Sequence, residues 1–338
     1  MSHEMYESDN LILRRTPAWH GLGRVVRDDL SPLEAFKQSG LNWRIITSNR
    51  LSGYIDGNEG SQSYSTDRFK MIIREDTNEI FAVKPTNWIP LQNSDLAQDA
   101  QSIADEIDGV SETFGSLRGG RLVYTAIGSK SGIEIGSRGD FIRPYFILFN
   151  SHDGSTAYGG LWSAIRPVCA NTVNMAIREG KREGFAWSLR HTLNFMHNRE
   201  QAVRVVKSWR RATDQYAEAI NTVEKKSLKA EQIRGLWVDV LTEMYGDIPL
   251  SPTTKREETK KATVVSALRR MSETFDREAA MFGGNAWVAY NAVTEFLQHS
   301  ELAARSPVMS DSRIYSHLFG REAELRNYAW GKTMELVG

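Results

Sequence analysis

The chain has 338 residues, 41% of them hydrophobic and 25% charged, an ordinary globular composition that argues against extended disorder. No run approaches the roughly 20 apolar residues of a membrane span, and residues 1–10 are polar and acidic rather than typical of a secretory signal, so we expect a cytosolic protein without a membrane partner. The single cysteine, Cys169, excludes an intramolecular disulfide framework and a Cys-rich zinc site.

The formal net charge of zero conceals an uneven distribution of charge. Residues 1–110 carry 11 Lys and Arg against 17 Asp and Glu, whereas residues 111–220 carry 15 against 9. Such asymmetry indicates a polyanionic partner or a self-complementary assembly. Charges scattered evenly over the folded surface are the alternative, and the sequence leaves both open.

Short strands and turns are predicted for the first hundred residues. Residues 44–47 indicate a strand, residues 53–57 a turn, and residues 69–74 and 79–83 a hairpin. From Ser94 onward, apolar residues recur at helical spacing and stop at Gly109, so a helix should lie behind those strands.

Three further strands are predicted at residues 121–127, 138–150 and 155–165. A helix should then begin at Pro167 and end at Gly180, because proline suits the first helical position. Helical spacing would place Cys169 with the apolar residues and gather three polar residues, Asn171, Asn174 and Arg178, on another face.

Long amphipathic helices follow, with apolar stripes at residues 203–223, 233–244, 264–282 and 287–297. Thr254 and Glu257 have the spacing of a capping box before the third stripe. We therefore predict an α+β fold with a mostly antiparallel sheet and packed helices over residues 1–195, followed by a helical C-terminal region over residues 196–338 that packs on this core.

No catalytic or cofactor motif accompanies this organisation. His191 and His197 are six residues apart, which does not place two imidazoles on one helix face, and no phosphate-binding Gly-rich loop or nucleophile motif occurs. Cys169 falls on the apolar face of its predicted helix, so we expect it to pack in the core. We expect neither a cofactor nor a metal.

The basic middle of the chain remains as the candidate site. It combines cations with aromatic and amide side chains, a mixture that suits phosphate neutralisation and base stacking. The candidate nucleic-acid-binding residues are Arg121, Arg143, Tyr145, Trp162, Arg166, Asn171, Asn174, Arg178, Lys181, Arg182, Arg190 and His191. On an alternating strand, Arg143 and Tyr145 would share a wet, basic face. An ordinary antiparallel sheet with polar outward-facing residues would give the same pattern.

Three segments resemble a known family. Residues 17–23 (PAWHGLG), 166–172 (RPVCANT) and 284–295 (GNAWVAYNAVTE), followed by His299, are similar to the phage/plasmid-like protein family, a bacterial and phage group of unknown function. The resemblance covers most of the chain. It implies an origin in a mobile element and brings no catalytic residue.

The predicted order of hairpin, antiparallel meander, helix and helical tail also resembles the phage single-strand annealing proteins of the Red-beta, RecT and Erf groups. This resemblance implies rings or filaments that bind DNA without nucleotide hydrolysis. We therefore expect an oligomeric, single-stranded DNA-binding and strand-annealing protein of a phage or plasmid recombination system.

Two other functions stay open. A protein that binds and inhibits a host defence protein would form a stoichiometric complex without DNA affinity. A nucleic-acid-processing enzyme would have only Asp153, His152 and His191 as candidate acid, base or ligand residues.

Overall fold

The computed structural model describes residues 11–14, 24–26, 29–57, 60–166, 171–174, 186–204, 209–299 and 321–338. Its strands are β1 (Leu11–Arg14), β2 (Arg24–Val26), β3 (Ile45–Thr47), β4 (Leu51–Gly57), β5 (Gly60–Thr66), β6 (Phe69–Arg74), β7 (Glu79–Pro85), β8 (Gly109–Leu117), β9 (Leu122–Ser129), β10 (Ile133–Ile135), β11 (Asp140–Ser151), β12 (Tyr158–Arg166), β13 (Asn171–Asn174) and β14 (Ala186–Leu189). Its helices are α1 (Pro32–Ser39), α2 (Asn93–Ile107), α3 (Phe195–Arg204), α4 (Trp209–Glu224), α5 (Ala230–Tyr245), α6 (Lys255–Phe282), α7 (Ala286–His299) and α8 (Arg321–Val337).

Local sequence signals set several helix ends. At the start of α1, Ser31 accepts a hydrogen bond from the Glu34 N–H while the Glu34 carboxylate accepts from the Ser31 N–H, which satisfies two otherwise free donors. Thr254 and Glu257 form the same reciprocal pair before α6. Helix α2 ends at Asp108, which adopts a left-handed conformation with φ of 47°.

A large, mainly antiparallel sheet organises the N-terminal part of the protein. Its described strands follow the order β13-β12-β11-β9-β8-β1-β2, with β10 added to β11 and β14 added to β12. Only the β1–β2 pair among these strands is parallel. Two smaller units, β3-β6-β7 and the hairpin β4-β5, stand beside it.

Two hydrophobic clusters cover this sheet. In the first, Leu96 and Ile103 of α2 pack with Phe114, Ile127 and Phe146 of the central strands. The second cluster joins helices α4–α8 to the sheet through three buried residues, Ile135, Ile142 and Trp162. The α+β class and the helical C-terminal region are thus confirmed.

Several individual elements also match their predictions. The 69–83 hairpin is β6-β7, the 94–107 helix is α2, and the three long strands are β9, β11 and β12. The amphipathic stripes lie on α3–α7, and the capping box at Thr254 is formed.

Two predictions of secondary structure are wrong. Residues 53–57 belong to strand β4 rather than to a turn, because they pair with β5 along its length. The helix expected from Pro167 is contradicted at residues 171–174, which form strand β13 on the edge of β12. The remainder of that predicted helix, including Cys169 and Arg178, lies outside the described residues, as does the 17–23 segment.

Candidate nucleic-acid interface

Two of the predicted cations already have carboxylate partners. The Nη2 atom of Arg121 lies 2.7 Å from Oε1 of Glu79, and its guanidinium covers the Phe81 ring. Arg143 pairs with Glu112 at 2.8 Å and donates to the Ser129 carbonyl at 2.5 Å. These contacts join the start of β9 to β7 and join β11 to β8 and β9, so a phosphate would have to compete for either guanidinium.

The predicted aromatic platform on β11 and β12 is buried. Arg143 does lie over the Tyr145 ring, so the two share a face, but Tyr145 is in the core. Trp162 is 2% exposed and donates from Nε1 to Oγ1 of Thr213 at 3.0 Å. The expectation of a wet, basic face is therefore wrong, because packing covers both faces of β11 from Tyr145 to Ser151.

The predicted polar helix face does not form either. Asn171 pairs with Arg166 and Asn174 with Ser163 in the β12–β13 ladder. Residues 171–174 are therefore extended, and the helical spacing that would gather Asn171 and Asn174 on one face does not apply to them. Arg178, Lys181 and Arg182 lie outside the described residues, and their role stays a prediction.

Arg190 and His191 come together with other residues in a cleft of about 510 Å³, which we call the basic cleft. Three segments form it: the chain that leaves β7, the turn between β11 and β12, and the chain that leaves β14. The lining residues are Lys84, Pro85, Asn87, Trp88, Gly154, Ser155, Thr156, Ala157, Arg190, His191 and Thr192.

Reciprocal hydrogen bonds fix two of these segments to each other. The Ile89 N–H donates to the His191 carbonyl at 3.2 Å, and Nδ1 of His191 lies 2.7 Å from the Ile89 carbonyl oxygen. The His191 ring is stacked between Trp88 and Phe195, with ring centroids 4.5 Å and 4.6 Å away. Backbone hydrogen bonds and ring stacking therefore both hold Trp88 and His191, which we call the aromatic wall of the cleft, in place.

The turn between β11 and β12 forms the facing wall. Asp153 accepts a hydrogen bond from the Ser155 N–H at 2.8 Å, and Ser151 Oγ accepts from the Thr156 N–H at 2.9 Å. A Cβ atom on Gly154 would lie 2.5 Å from Nζ of Lys84, so the ammonium packs directly on this backbone. Gly154 also has φ of 71°, which favours glycine.

The described lining of the basic cleft includes positive charges and no carboxylate. Lys84 and Arg190 are its charged lining residues, and neither forms an ion pair with a described residue. Burial lowers the pKa of His191 and outweighs the hydrogen bond to the Ile89 carbonyl, which raises it, and the nearby Lys84 charge acts in the same direction as burial. At neutral pH the imidazole is therefore uncharged, and the positive charge belongs to Lys84 and Arg190.

Comparison with known families gives one match. A family model described as domain of unknown function DUF932 matches residues 81–318. The chain belongs to the DUF932 family. Neither the curated proteins nor the solved structures gave a match. Every residue that lines the basic cleft falls within the DUF932 region.

Sequence reasoning missed Lys84, Trp88 and Gly154 as members of this DUF932 cleft. A signal was present, because Trp88 stands in a loop bracketed by Pro85 and Pro90 directly after a predicted strand. Loops that leave a rigid sheet often carry binding residues.

A second cleft of the DUF932 region has the opposite charge. It has a volume of about 500 Å³ and is lined by Asp105, Glu106, Ile107, Asp108, Ser129, Ser131, Thr213 and Asp214. We call it the acidic cleft. It includes the C-terminal end of α2, whereas no residue of α2 lines the basic cleft.

Among the described residues, no group of three or more His, Cys, Asp or Glu side chains could hold a metal ion. None of the described helices is both long enough and apolar enough to cross a bilayer.

Proposed function

We propose that this protein is an oligomeric single-stranded DNA-binding protein that supports strand annealing in a phage or plasmid recombination system. The observation that carries the proposal is the basic cleft. It combines two cations without described ion-pair partners, a half-buried tryptophan and no lining carboxylate.

The chemistry of the basic cleft suits a single strand. Lys84 and Arg190 supply charge for phosphates, and the stacked Trp88 and His191 rings supply an aromatic surface. Single-stranded nucleic acid is commonly held in this way, by a basic groove and by aromatic rings on which unpaired bases stack. A volume of about 510 Å³ also suits one nucleotide unit rather than a duplex.

The two clefts of opposite charge support the oligomeric part of the proposal. The acidic cleft includes the C-terminal end of α2, and the basic cleft is lined by three other segments of the chain. Opposite charges in two separate clefts of one subunit favour head-to-tail contacts, which close into rings or extend into filaments. A strand bound along such an assembly would pass from one basic cleft to the next.

Part of the order of elements gives further support. The β6-β7 hairpin, the β8-β9-β11-β12 meander and the C-terminal helices follow one another as the resemblance to annealing proteins implies, whereas α2 precedes the meander and strand β13 replaces the expected helix at residues 171–174. Strand annealing requires that two strands are aligned, and it requires no covalent chemistry. A cleft that supplies positive charge and aromatic rings is sufficient for such a role.

One observation favours the rival function, a host-protein inhibitor. The β4-β5 hairpin exposes Tyr54, Ile55 and Tyr64, which are 75%, 61% and 53% exposed. Exposed aromatic and branched side chains on one hairpin are typical of a protein-binding surface. On this account the hairpin would contact the host protein and the basic cleft would have no DNA affinity.

Fluorescence anisotropy with a labelled single strand and its duplex tests the proposal, with the mass of the complex measured by light scattering. We expect tighter binding of the single strand, weakening as salt rises, and a larger assembly when the strand is present. Absence of binding at low salt would contradict the proposal. A one-to-one complex with a host defence protein, without DNA affinity, would establish the rival.

A further inference from the structure

The hydrogen bonds of His191 define which of its ring nitrogens holds the proton. Nδ1 lies 2.7 Å from the Ile89 carbonyl oxygen, which can only accept, so Nδ1 carries the hydrogen and donates. Burial lowers the pKa of His191 despite this hydrogen bond, which raises it, and the nearby Lys84 lowers it too, so the ring is uncharged at neutral pH. Nε2 is then an unprotonated nitrogen with a lone pair.

That lone pair has no partner among the described residues. The Nε2 atom is shielded from solvent and accepts no hydrogen bond from a described residue. The His191 residue as a whole is 5% exposed. A buried acceptor that is hidden from both water and protein donors is unfavourable, and such atoms are rare in folded proteins. His191 also lines the basic cleft, so a ligand held there would lie beside this ring.

We propose that Nε2 of His191 accepts a hydrogen bond from the Watson–Crick edge of one unpaired base, while Lys84 and Arg190 contact the neighbouring phosphates. This inference rests on the proposed function and names what the same cleft recognises. Every base has an N–H donor on that edge, so one acceptor serves all four bases. Recognition is therefore independent of sequence.

The Nε2 acceptor of His191 would also distinguish single strands from duplexes. In a duplex the Watson–Crick donors are already paired with the opposite strand. A base must therefore be unpaired before it can donate to His191. Lys84 and Arg190 attract phosphates of either form, so the preference for a single strand depends on His191 and on stacking against the aromatic wall.

Three substitutions of His191 separate its roles. His191→Phe keeps a ring between Trp88 and Phe195 and removes both nitrogens. His191→Asn keeps a donor near the Nδ1 position and removes the acceptor, whereas His191→Gln places an amide near the Nε2 position. We expect the Phe and Asn variants to bind a mixed-sequence 12-mer roughly tenfold more weakly, as the loss of one hydrogen bond implies. The Gln variant should retain most of the affinity.

Duplex affinity and the salt dependence of binding should stay unchanged in all three variants, because no phosphate contact is lost. Phe and Asn variants that melt like the wild type and bind the single strand equally well would overturn the inference. If the wild type binds and a Lys84→Met variant weakens binding while the His191 variants do not, only this inference fails. If the wild type binds no oligonucleotide, the proposed function fails with it.

A measurement on the wild-type protein keeps the inference testable if the variants do not fold. With 15N-labelled histidine, the assigned Nε2 resonance of His191 should have the position of an unprotonated nitrogen. We expect it to shift when the 12-mer is added, since a donor then reaches the lone pair. An unchanged resonance at saturating 12-mer would overturn the inference.

Discussion

Arg199 donates from Nε to Oδ2 of Asp99 across 2.6 Å, and both side chains are 11% exposed. The Tyr158 hydroxyl donates to the same oxygen at 2.5 Å. One carboxylate therefore joins α3 and β12 to α2. Phe195, which stacks on His191, begins the helix that Arg199 holds in place.

Removing this carboxylate should destabilise the fold strongly. Asp99→Ala leaves the buried Arg199 guanidinium with only the longer Asp95 contact at 3.5 Å and removes the acceptor of the Tyr158 hydroxyl, which should cost about 3 kcal/mol. Asp105→Ala on the same helix is the matched control, because Asp105 is exposed and should change stability by no more than about 0.5 kcal/mol. Urea unfolding of both variants measures the difference. A loss below about 1 kcal/mol for Asp99→Ala would contradict the arrangement.

Acid should destabilise the protein through His152. Burial lowers the pKa of His152 to about 3, and the charge of His191 in its protonated form and the charge of Arg74 act in the same direction. Because the unfolded chain takes up the proton near pH 6.5, stability is complete above that pH and is lost as the pH falls towards 3. At pH 5 the loss from this group is about 2 kcal/mol.

Substitution of His152 should remove this pH dependence. In His152→Gln, the difference in unfolding free energy between pH 7.5 and pH 5.0 should shrink by about 2 kcal/mol. His197→Gln, which changes an exposed histidine, should keep the wild-type difference. Urea titrations at pH 7.5 and pH 5.0 give the difference in unfolding free energy for each variant. The same pH dependence in His152→Gln as in the wild type would show that another group carries it.

Gly160 should not tolerate a side chain. A Cβ atom there would lie 2.8 Å from the Phe146 ring and 2.9 Å from the Trp187 ring, so the β12 backbone packs directly on two aromatics. We expect Gly160→Ala to lower stability by about 1–3 kcal/mol through overpacking. Thermal melting measures the change.

Gly235 provides the opposite case for comparison. It lies inside helix α5, and a Cβ atom there would meet nothing within 4 Å. Gly235→Ala should therefore stabilise the protein by about 0.5–1 kcal/mol, because alanine loses less conformational freedom in a helix. Equal effects at the two positions would contradict the packing described for β12.

The elements with clear periodicity could be predicted from the sequence. Helix α2 and the β6-β7 hairpin follow directly from apolar spacing and turn residues. Strand β8 was missed because its residues, rich in Gly, Ser and Thr, show no alternation, and most of them are buried. Helix α1 was missed although Ser31 and Glu34 have the spacing of a capping box.

The misassigned helix after Pro167 shows where local signals fail. Asn171 and Asn174 fit a helical spacing, but pairing with the edge of β12 provides backbone partners that a local pattern does not reveal. Tertiary context commonly overrides weak local propensity in this way.

The candidate site could be predicted only in part. Arg190 and His191 were identified from charge and aromatic content, whereas Lys84 and Gly154 come from distant segments. The reciprocal hydrogen bonds between Ile89 and His191 bring two of these segments together, and the packing of Lys84 against Gly154 adds the third. Burial of Trp162 and Tyr145 depends on the C-terminal helices and on sheet packing, which composition does not specify.

The salt dependence of oligonucleotide binding tests the central claim most directly. The comparison uses the wild type, Lys84→Met/Arg190→Met in the basic cleft, and Lys130→Met/Arg269→Met as a control with the same change of charge. Lys130 and Arg269 are exposed cations paired with Asp108 and Glu273, outside the cleft. Anisotropy titrations of a labelled single strand at several salt concentrations give the affinity and its slope.

We expect the cleft variant to bind more weakly and to lose about 1.4 from the slope of log affinity against log salt, as two lost phosphate contacts imply. The control variant should behave like the wild type. Equal losses in both double variants would show a dependence on net charge alone, and wild-type binding by the cleft variant would contradict the assignment of the basic cleft.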